Sequence, residues 1–300
     1  MKFSIVTPVF NGKKYISETI ESVLSQEGDF EIEYIIVDGK STDNTLTIIK
    51  KYEILLAEKK YPIKCNKLTY AWISEKDNGM YDAINKGFIK ATGDVYAYIN
   101  SDDVYEPEAF ATIAKVLQRY PDIEWLKGNN SFIDATSQIT ETWPCFIYNQ
   151  MWIESGIYGR NAPFIPQESV FWMASLWKKA GPINESLRLA GDYYLWLQFA
   201  KHAPLWSIDK RIARFRILET QLSNRFMGEY RREQLMLSKP KGLLNAIVKL
   251  FFWLKSLTPE SWNKLFLFTY PIIFMTRNKQ YIDFDENNVP VKKKAHSFIA

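Results

Sequence analysis

The sequence predicts an α/β fold, a mainly parallel sheet flanked by helices and followed by a helical tail. Three observations point to it. Over the first hundred residues, short apolar runs alternate with segments whose apolar residues recur at helical spacing, the signature of strand–helix–strand crossovers. Each apolar run ends in polar or acidic residues, which is where parallel sheets bind ligands. Beyond Lys239 the composition changes, with ten Lys/Arg against four Asp/Glu; since the whole chain has a net charge of +4, the first 238 residues are slightly acidic.

Phe3–Thr7 reads as a buried strand leading to a turn at Asn11-Gly12, and Ile16, Ile20, Val23 and Leu24 fall on one helical face. Tyr34–Val37 is a second strand ending at Asp38-Gly39, with Ser41 or Asp43 placed to cap the next helix. Ala71–Ser74 is a third strand, Tyr81–Lys90 a helix and Val95–Ile99 a fourth strand. Residues 123–215 mix short strands and helices among many aromatics, with a helix at Tyr193–Ala200. In the tail, Leu243, Leu244, Ile247, Val248, Phe251 and Phe252 repeat at helical spacing among lysines, before the apolar run Leu265–Met275.

At 47% hydrophobic, 300 residues bury a large core, as one big domain or two modest ones. Cys65 and Cys145 form neither a disulfide framework nor a metal-ligand spacing, so a reducing, cytoplasmic setting is expected. The N-terminal apolar run is too short for a signal peptide, and no stretch reaches the roughly 20 apolar residues of a membrane span. His202 and His296 are isolated and offer no triad or metal spacing.

The chemistry-bearing residues cluster at the expected strand ends. Asp102-Asp103 follows Val95–Ile99; two adjacent carboxylates there call for a cation, and a divalent metal carrying a phosphorylated ligand meets that demand. The competing reading is a solvated turn before a helix. Asp38 suits a nucleobase or ribose, or simply caps its own turn. Gly39-Lys40-Ser41 resembles a phosphate loop only superficially, because Tyr34 stands where that loop needs glycine, and no Gly-x-Gly-x-x-Gly follows any strand. Asp82, Asn85 and Lys86 lie on one helical face suited to a diphosphate, or form an ordinary surface helix. Asp192, in the first turn of its helix, is a candidate general base or a plain cap. Gln167 and Glu168 put polar groups among Phe164, Phe171 and Trp172, which suggests a binding surface.

With these residues in order, the chain resembles bacterial family 2 glycosyltransferases of the GT-A fold over roughly residues 1–220. Ser4-Ile5-Val6-Thr7-Pro8-Val9-Phe10-Asn11, Val37-Asp38-Gly39-Lys40-Ser41-Thr42-Asp43, Asp77–Gly87, Asn100-Ser101-Asp102-Asp103 and Gly191-Asp192-Tyr193-Tyr194-Leu195-Trp196 look like the family's successive motifs. The resemblance implies a catalytic domain over 1–220, with a nucleotide half (1–104) and an acceptor half (105–220), and a helical, basic, amphipathic region over 221–300. It implies inverting transfer of a sugar from a nucleotide-diphospho-sugar to a hydroxyl. Donor contacts would come from Thr7, Pro8, Val9, Phe10, Asn11, Asp38, Ser41, Asp77, Asn78, Gly79, Asp82, Asn85, Lys86, Ser101 and Asp102. Asp103 would hold Mn²⁺ or Mg²⁺, Asp192 would be the base, and Gln167, Glu168 and Trp172 would line the acceptor site.

Two departures stand out: Ser101 where a strict Asp-x-Asp ending at 103 needs an acid, and Gly191 where many relatives have a second acid. No Gln-x-x-Arg-Trp occurs, so a processive synthase is not expected. The tail suits the inner face of the cytoplasmic membrane, and thus a lipid-linked or growing surface-polysaccharide acceptor; a packing helix or dimer contact is the alternative. No nucleic-acid partner is expected. Two rival functions remain at this stage, a metal-dependent nucleotidyltransferase, which would release pyrophosphate, and a non-catalytic sugar-binding module.

Overall fold

The structure is a computed structural model that describes residues 1–159, 163–218, 225–238 and 279–295, with isolated positions between 246 and 276. The tail stripe centred on residues 243–252 and the run 265–275 lie almost wholly outside the described residues.

The N-terminal half follows the expected order. Strand β1 (Lys2–Val9) leads to helix α1 (Ile16–Leu24), β2 (Gly28–Asp38), α2 (Thr45–Ala57), β3 (Cys65–Ser74), α3 (Met80–Lys90) and β4 (Val95–Tyr98). β1 pairs in parallel with both β2 and β4, and β2 in parallel with β3. The third strand is longer than expected, because its first residues alternate in burial and carry no continuous apolar run.

The second half adds β5 (Val104–Tyr105), α4 (Ala109–Arg119), β6 (Trp125–Ile133), β7 (Ile139–Thr142), α5 (Gln150–Glu154), a single 3-10 turn (Gln167–Ser169), β8 (Val170–Met173), α6 (Ala174–Ala180), α7 (Gly191–Ala200) and β9 (Trp206–Arg216). β8 runs antiparallel between β4 and β6, and β6 pairs in parallel with β9. The two halves thus share one continuous sheet.

The tail departs from expectation. Helix α8 (Met227–Leu237) packs on α7, while β10 (Gln280–Phe284) and β11 (Pro290–Lys294) form a hairpin that extends the sheet beyond β9. Region 221–300 is therefore not a purely helical appendage. The Asp285–Val289 turn, with Asn288 at φ 56° and Asp285 accepting the Asn287 and Val289 amides, is what makes the hairpin. Among the described residues no helix is long and apolar enough to cross a membrane.

Two apolar layers sandwich the sheet. Strand pleating sends Phe3, Ile5, Phe30, Ile32 and Phe171 to one face, with α1 and α4, and Val6, Ile35, Val37 and Trp172 to the other, with α3 and α7. Fully buried side chains of this size contribute about 1.5–3 kcal/mol each, so the strand ends that carry the polar residues are held on a stiff frame.

Candidate active site

Loops from four strand ends meet at the carboxyl edge of the sheet. Gly39 N–H donates to the Val9 carbonyl (2.8 Å), Asn11 N–H to Ser41 Oγ (2.8 Å) and Thr42 N–H to Asn11 Oδ1 (2.9 Å), lacing the loops after β1 and β2 together. Asn11 accepts a left-handed backbone (φ 53°) to do so. A Cβ at Gly39 would lie 2.4 Å from Asp77 Oδ2, so glycine is what lets that carboxylate approach. Similarly, a Cβ at Gly12 would lie 3.2 Å from Ser101 Oγ, which places the residue before the acidic pair beside the first loop. Phe10 stands 63% exposed at this edge, an aromatic ring presented to whatever binds there.

Several expected donor contacts are instead structural. Thr7 is fully buried and its hydroxyl accepts from Tyr34 (3.0 Å); Pro8 and Val9 are enclosed in the strand. Asp38 is also buried, its carboxylate occupied by Ser41 N–H and Oγ and by Ser74 Oγ (2.6 Å), because it closes its own turn. Asn85 is bonded to Ile183 N–H and C=O and to Glu185, tying α3 to the 183–185 loop rather than facing a ligand. Asp82 takes Asn78 N–H and pairs with Lys86, which also pairs with Glu75. Asp77 accepts from Gly79 N–H (3.0 Å). Phe10, Asn11, Ser41, Asp77, Asn78, Gly79, Lys86, Ser101 and Asp102 retain some exposure.

Burial divides the acidic pair. Asp103, the expected metal ligand, is completely enclosed, with Oδ1 accepting Arg216 N–H (2.9 Å) and Oδ2 lying 3.3 Å from Asn100 Nδ2. Asp102 is the partly exposed member. Behind it, the fully buried Arg216 guanidinium donates to the carbonyls of Asp102 (2.8 Å) and Asp134 (3.0 Å), to Ser137 Oγ (2.9 Å) and to Glu18 (2.6 Å), and lies over the Tyr15 ring. Burial raises the Asp102 carboxyl; burial, then Asp102 and Glu168, hold Asp103 well above the usual carboxylate range.

Does a divalent cation suit these residues? Among the described residues no three His, Cys, Asp or Glu side chains converge to hold one alone. Asp102 is nevertheless a hard carboxylate, and two residues before it the Asn100 Oδ1 is buried without a partner. Mg²⁺-like ions are commonly held by one or two carboxylates plus substrate phosphates, so this donor set fits.

Glu168 bridges the two halves of the site. It is 2% exposed and accepts from Asn130 Nδ2; burial and the nearby Asp192 and Asp102 push its carboxyl up to about 7, against the pull of Lys127. Lys127 is itself buried and pushed down to about 8. Next to Glu168, Gln167 is 8% exposed and neither amide atom has a partner, an arrangement suited to a ligand's hydroxyls. Trp172 does not belong here: it is 1% exposed in the middle of β8, packed against Phe88, Tyr98, Trp196 and Phe199, and is core.

Asp192 sits in the first turn of α7, partly exposed, lining a small pocket with Tyr158, Phe164, Ile165, Trp196 and Tyr230. Burial, with a smaller push from Glu233, raises its carboxyl to about 6. Its helix can begin at Gly191 only because no side chain is there: a Cβ would lie 2.6 Å from the Tyr81 ring. Sequence reasoning missed Glu18, Lys127, Asn130, Arg216 and Glu233, whose roles come from contacts distant in the chain. The one local signal was the Arg-x-Arg alternation at the end of β9.

Comparison with known proteins follows the same outline. The solved S. aureus TarS (residues 1–349) superposes with a TM-score of 0.56 at 20% identity, over 79% of this chain and 65% of that one. The mannosyltransferase PcManGT of Pyrobaculum calidifontis, solved with GDP-Man and Mn²⁺, gives 0.54 at 13%, over 80% and 65%. These likenesses show the fold, GT-A. In sequence, an uncharacterized glycosyltransferase of Nostoc sp. is 32% identical over 46% of this chain, which spans only 41% of that relative. A PGL/p-HBAD biosynthesis glycosyltransferase from Mycobacterium bovis is 27% identical over 64% of this chain and 66% of its own. The model of glycosyl transferase family 2 matches residues 4–156, which contain every loop of the nucleotide edge and the acidic pair, and the chain belongs to that family.

Proposed function

We propose that the protein is an inverting glycosyltransferase that moves a sugar from a nucleotide-diphospho-sugar to a hydroxyl acceptor. The observation that carries this reading is the placement of two unlike acidic centres around Glu168: Asp102 at the laced nucleotide edge, and Asp192 in an aromatic pocket. The base and ribose would lie against Phe10, Asn11, Ser41 and Asp77, with Asp102 holding Mn²⁺ or Mg²⁺ on the diphosphate. Such a cation would supply charge neutralisation to the leaving group. Asp192 takes the acceptor hydroxyl's proton while that oxygen bonds to the anomeric carbon; the carbon–oxygen bond to the diphosphate breaks, and the nucleoside diphosphate departs with the electron pair. Gln167 and Glu168 hydrogen-bond sugar hydroxyls beside that line of attack.

The test is thermal shift with UDP-GlcNAc, GDP-mannose and other nucleotide sugars, each with Mn²⁺, followed by nucleoside-diphosphate release with the donor that binds. A UDP-GlcNAc complex of TarS and the GDP-Man complex of PcManGT make those two the first probes. Asp192→Asn should keep the donor-induced shift and lose turnover by at least about 100-fold, the range expected of a general base. Near-wild-type turnover would remove Asp192 from the mechanism.

For the acceptor we propose a lipid-linked or growing surface glycan, reached from the inner membrane face. Support comes from the basic tail and from Ile247, Leu250, Leu254 and Leu257, at 40–63% exposure and helical spacing. Vesicles containing anionic lipid should float with the full chain and not with a chain lacking residues 240–275.

A further inference from the structure

Helix α8 lies outside both the matched family segment and the expected catalytic domain, yet it touches the chain on either side of Asp192. Its Glu233 carboxylate accepts three consecutive backbone N–H groups: Arg188 on Oε1 (2.9 Å), and Leu189 (3.0 Å) and Ala190 (2.7 Å) on Oε2. The same short stretch is pinned from the opposite side, where the Tyr81 hydroxyl of α3 donates to the Leu189 carbonyl (2.6 Å). Further along α8, Gln234 lies within 3.3 Å of the Gly159 carbonyl, and Tyr230 joins the pocket that holds Asp192. Three charge-assisted bonds from one carboxylate are far more than a helix needs in order to dock. They also face the amino end of α7, where a negative charge is favoured.

We infer that Glu233 is a positioning residue for Asp192: its carboxylate gathers the N–H groups of residues 188–190, fixes the chain immediately before Asp192, and holds a second negative charge beside that side chain. The inference rests on reading Asp192 as the base. It assigns part of the catalytic geometry to a helix that a nucleotide-binding description of the fold leaves out.

The electrostatic half of the role has a sign. Among the described residues, the titratable groups besides Glu233 that interact with Asp192 include Tyr81 of α3, Tyr98 of β4, Glu168 of the 3-10 turn and Tyr230 of α8, and Tyr158 and Tyr193 line the same pocket. Tyr81, Tyr98 and Tyr230 are neutral in the physiological range because burial raises them, and Glu168 is only partly ionised near pH 7. Glu233 therefore adds negative charge that favours the protonated form of Asp192. Removing that charge lets Asp192 ionise at lower pH.

The experiment is a carbon-13 NMR titration of aspartate carboxyl groups in the full chain, with the Asp192 resonance assigned through Asp192→Asn. Glu233→Gln should lower the Asp192 midpoint by about 0.5 in pH and speed hydrogen exchange of the Arg188, Leu189 and Ala190 amides at least about tenfold. A purely structural role for Glu233 would speed exchange without moving the midpoint, and that outcome overturns the inference, as does unchanged exchange. Glu229→Gln, a change on the same helix at an exposed residue paired with Arg188, should do neither. Should Glu233→Gln not fold, Glu233→Asp replaces it: the retained charge should leave the midpoint within about 0.2 of wild type while the shortened arm speeds exchange about fivefold or more. Unchanged exchange in that variant also counts against the inference. Turnover of Asp192→Asn tests the base independently, so either reading can fail alone.

Discussion

Asp192 and Glu168 keep their protons at pH values where surface carboxylates have lost theirs, and for both the first cause is burial. A base must be ionised to accept a proton, and Asp192 ionises near pH 6. Turnover measured as nucleoside-diphosphate release should therefore fall about tenfold per pH unit below roughly 6 and level off above it. A flat profile down to pH 4.5 would mean that another group is the base. Arg216 supplies a second case at this scale. Its guanidinium is wholly buried and joins four segments distant in sequence. Arg216→Met should destabilise the protein by about 3–5 kcal/mol, because Asp102 and Asp134 carbonyls lose a buried donor and the acidic pair loses its nearest cation. Glu18 is 46% exposed at its side chain, so Glu18→Gln should cost under about 1 kcal/mol, both values to be read from urea unfolding.

Among the elements, α3 shows how a helix can be located correctly and its polar residues misassigned. Asp82, Asn85 and Lys86 do share a face, but Asn85 is taken up by the 183–185 loop, and Asp82 and Lys86 pair with each other and, through Lys86, with Glu75. Asn85→Ala should lower stability by about 2–3 kcal/mol, measurable as a reduced urea midpoint, because a buried N–H and C=O of Ile183 lose their partners. Donor binding should be unchanged. The strands β1, β2 and β4 were legible because each holds a short apolar stretch buried on both faces, Ile5-Val6 in β1, Tyr34–Val37 in β2 and the whole of β4. The start of β3, the two-residue β5 and the β10–β11 hairpin were not, since their strand character comes from pairing partners and not from their own sequence. The site divides in the same way. Asp102 and Asp192 announce themselves by a local signal, a strand end and a helix start. Arg216 and Glu233 act across 114 and 43 to 45 residues of chain, where no periodicity in one sequence can point. Trp172 misled because an aromatic next to polar residues reads as a binding surface whether it faces a ligand or the core.

For the molecule as a whole, the buried acids set a pH dependence of stability. A carboxyl whose folded value is raised, as in Asp102, Asp103, Glu168 and Asp192, favours the native state while protonated and loses that contribution as pH rises through its folded value. Glu33, Asp43 and Asp283 act the other way; their lowered values add stability that is lost only as pH falls below about 4. The melting temperature in EDTA should therefore decline between about pH 5 and pH 7.5, with Glu168→Gln flattening the decline. The sheet has a further consequence at this scale. β10 lies parallel to β9, so the pair needs a crossover connection between Arg216 and Gln280 and not a tight turn. Both ends of that interval are held in the sheet, and α8 falls within it. Docking α8 against α7 thus requires closing only a short secondary loop, which is entropically modest compared with capturing a free tail. Unzipping the β10–β11 hairpin would release one anchor, so damage at the sheet's far edge should loosen Asp192 without a single contact between them being touched.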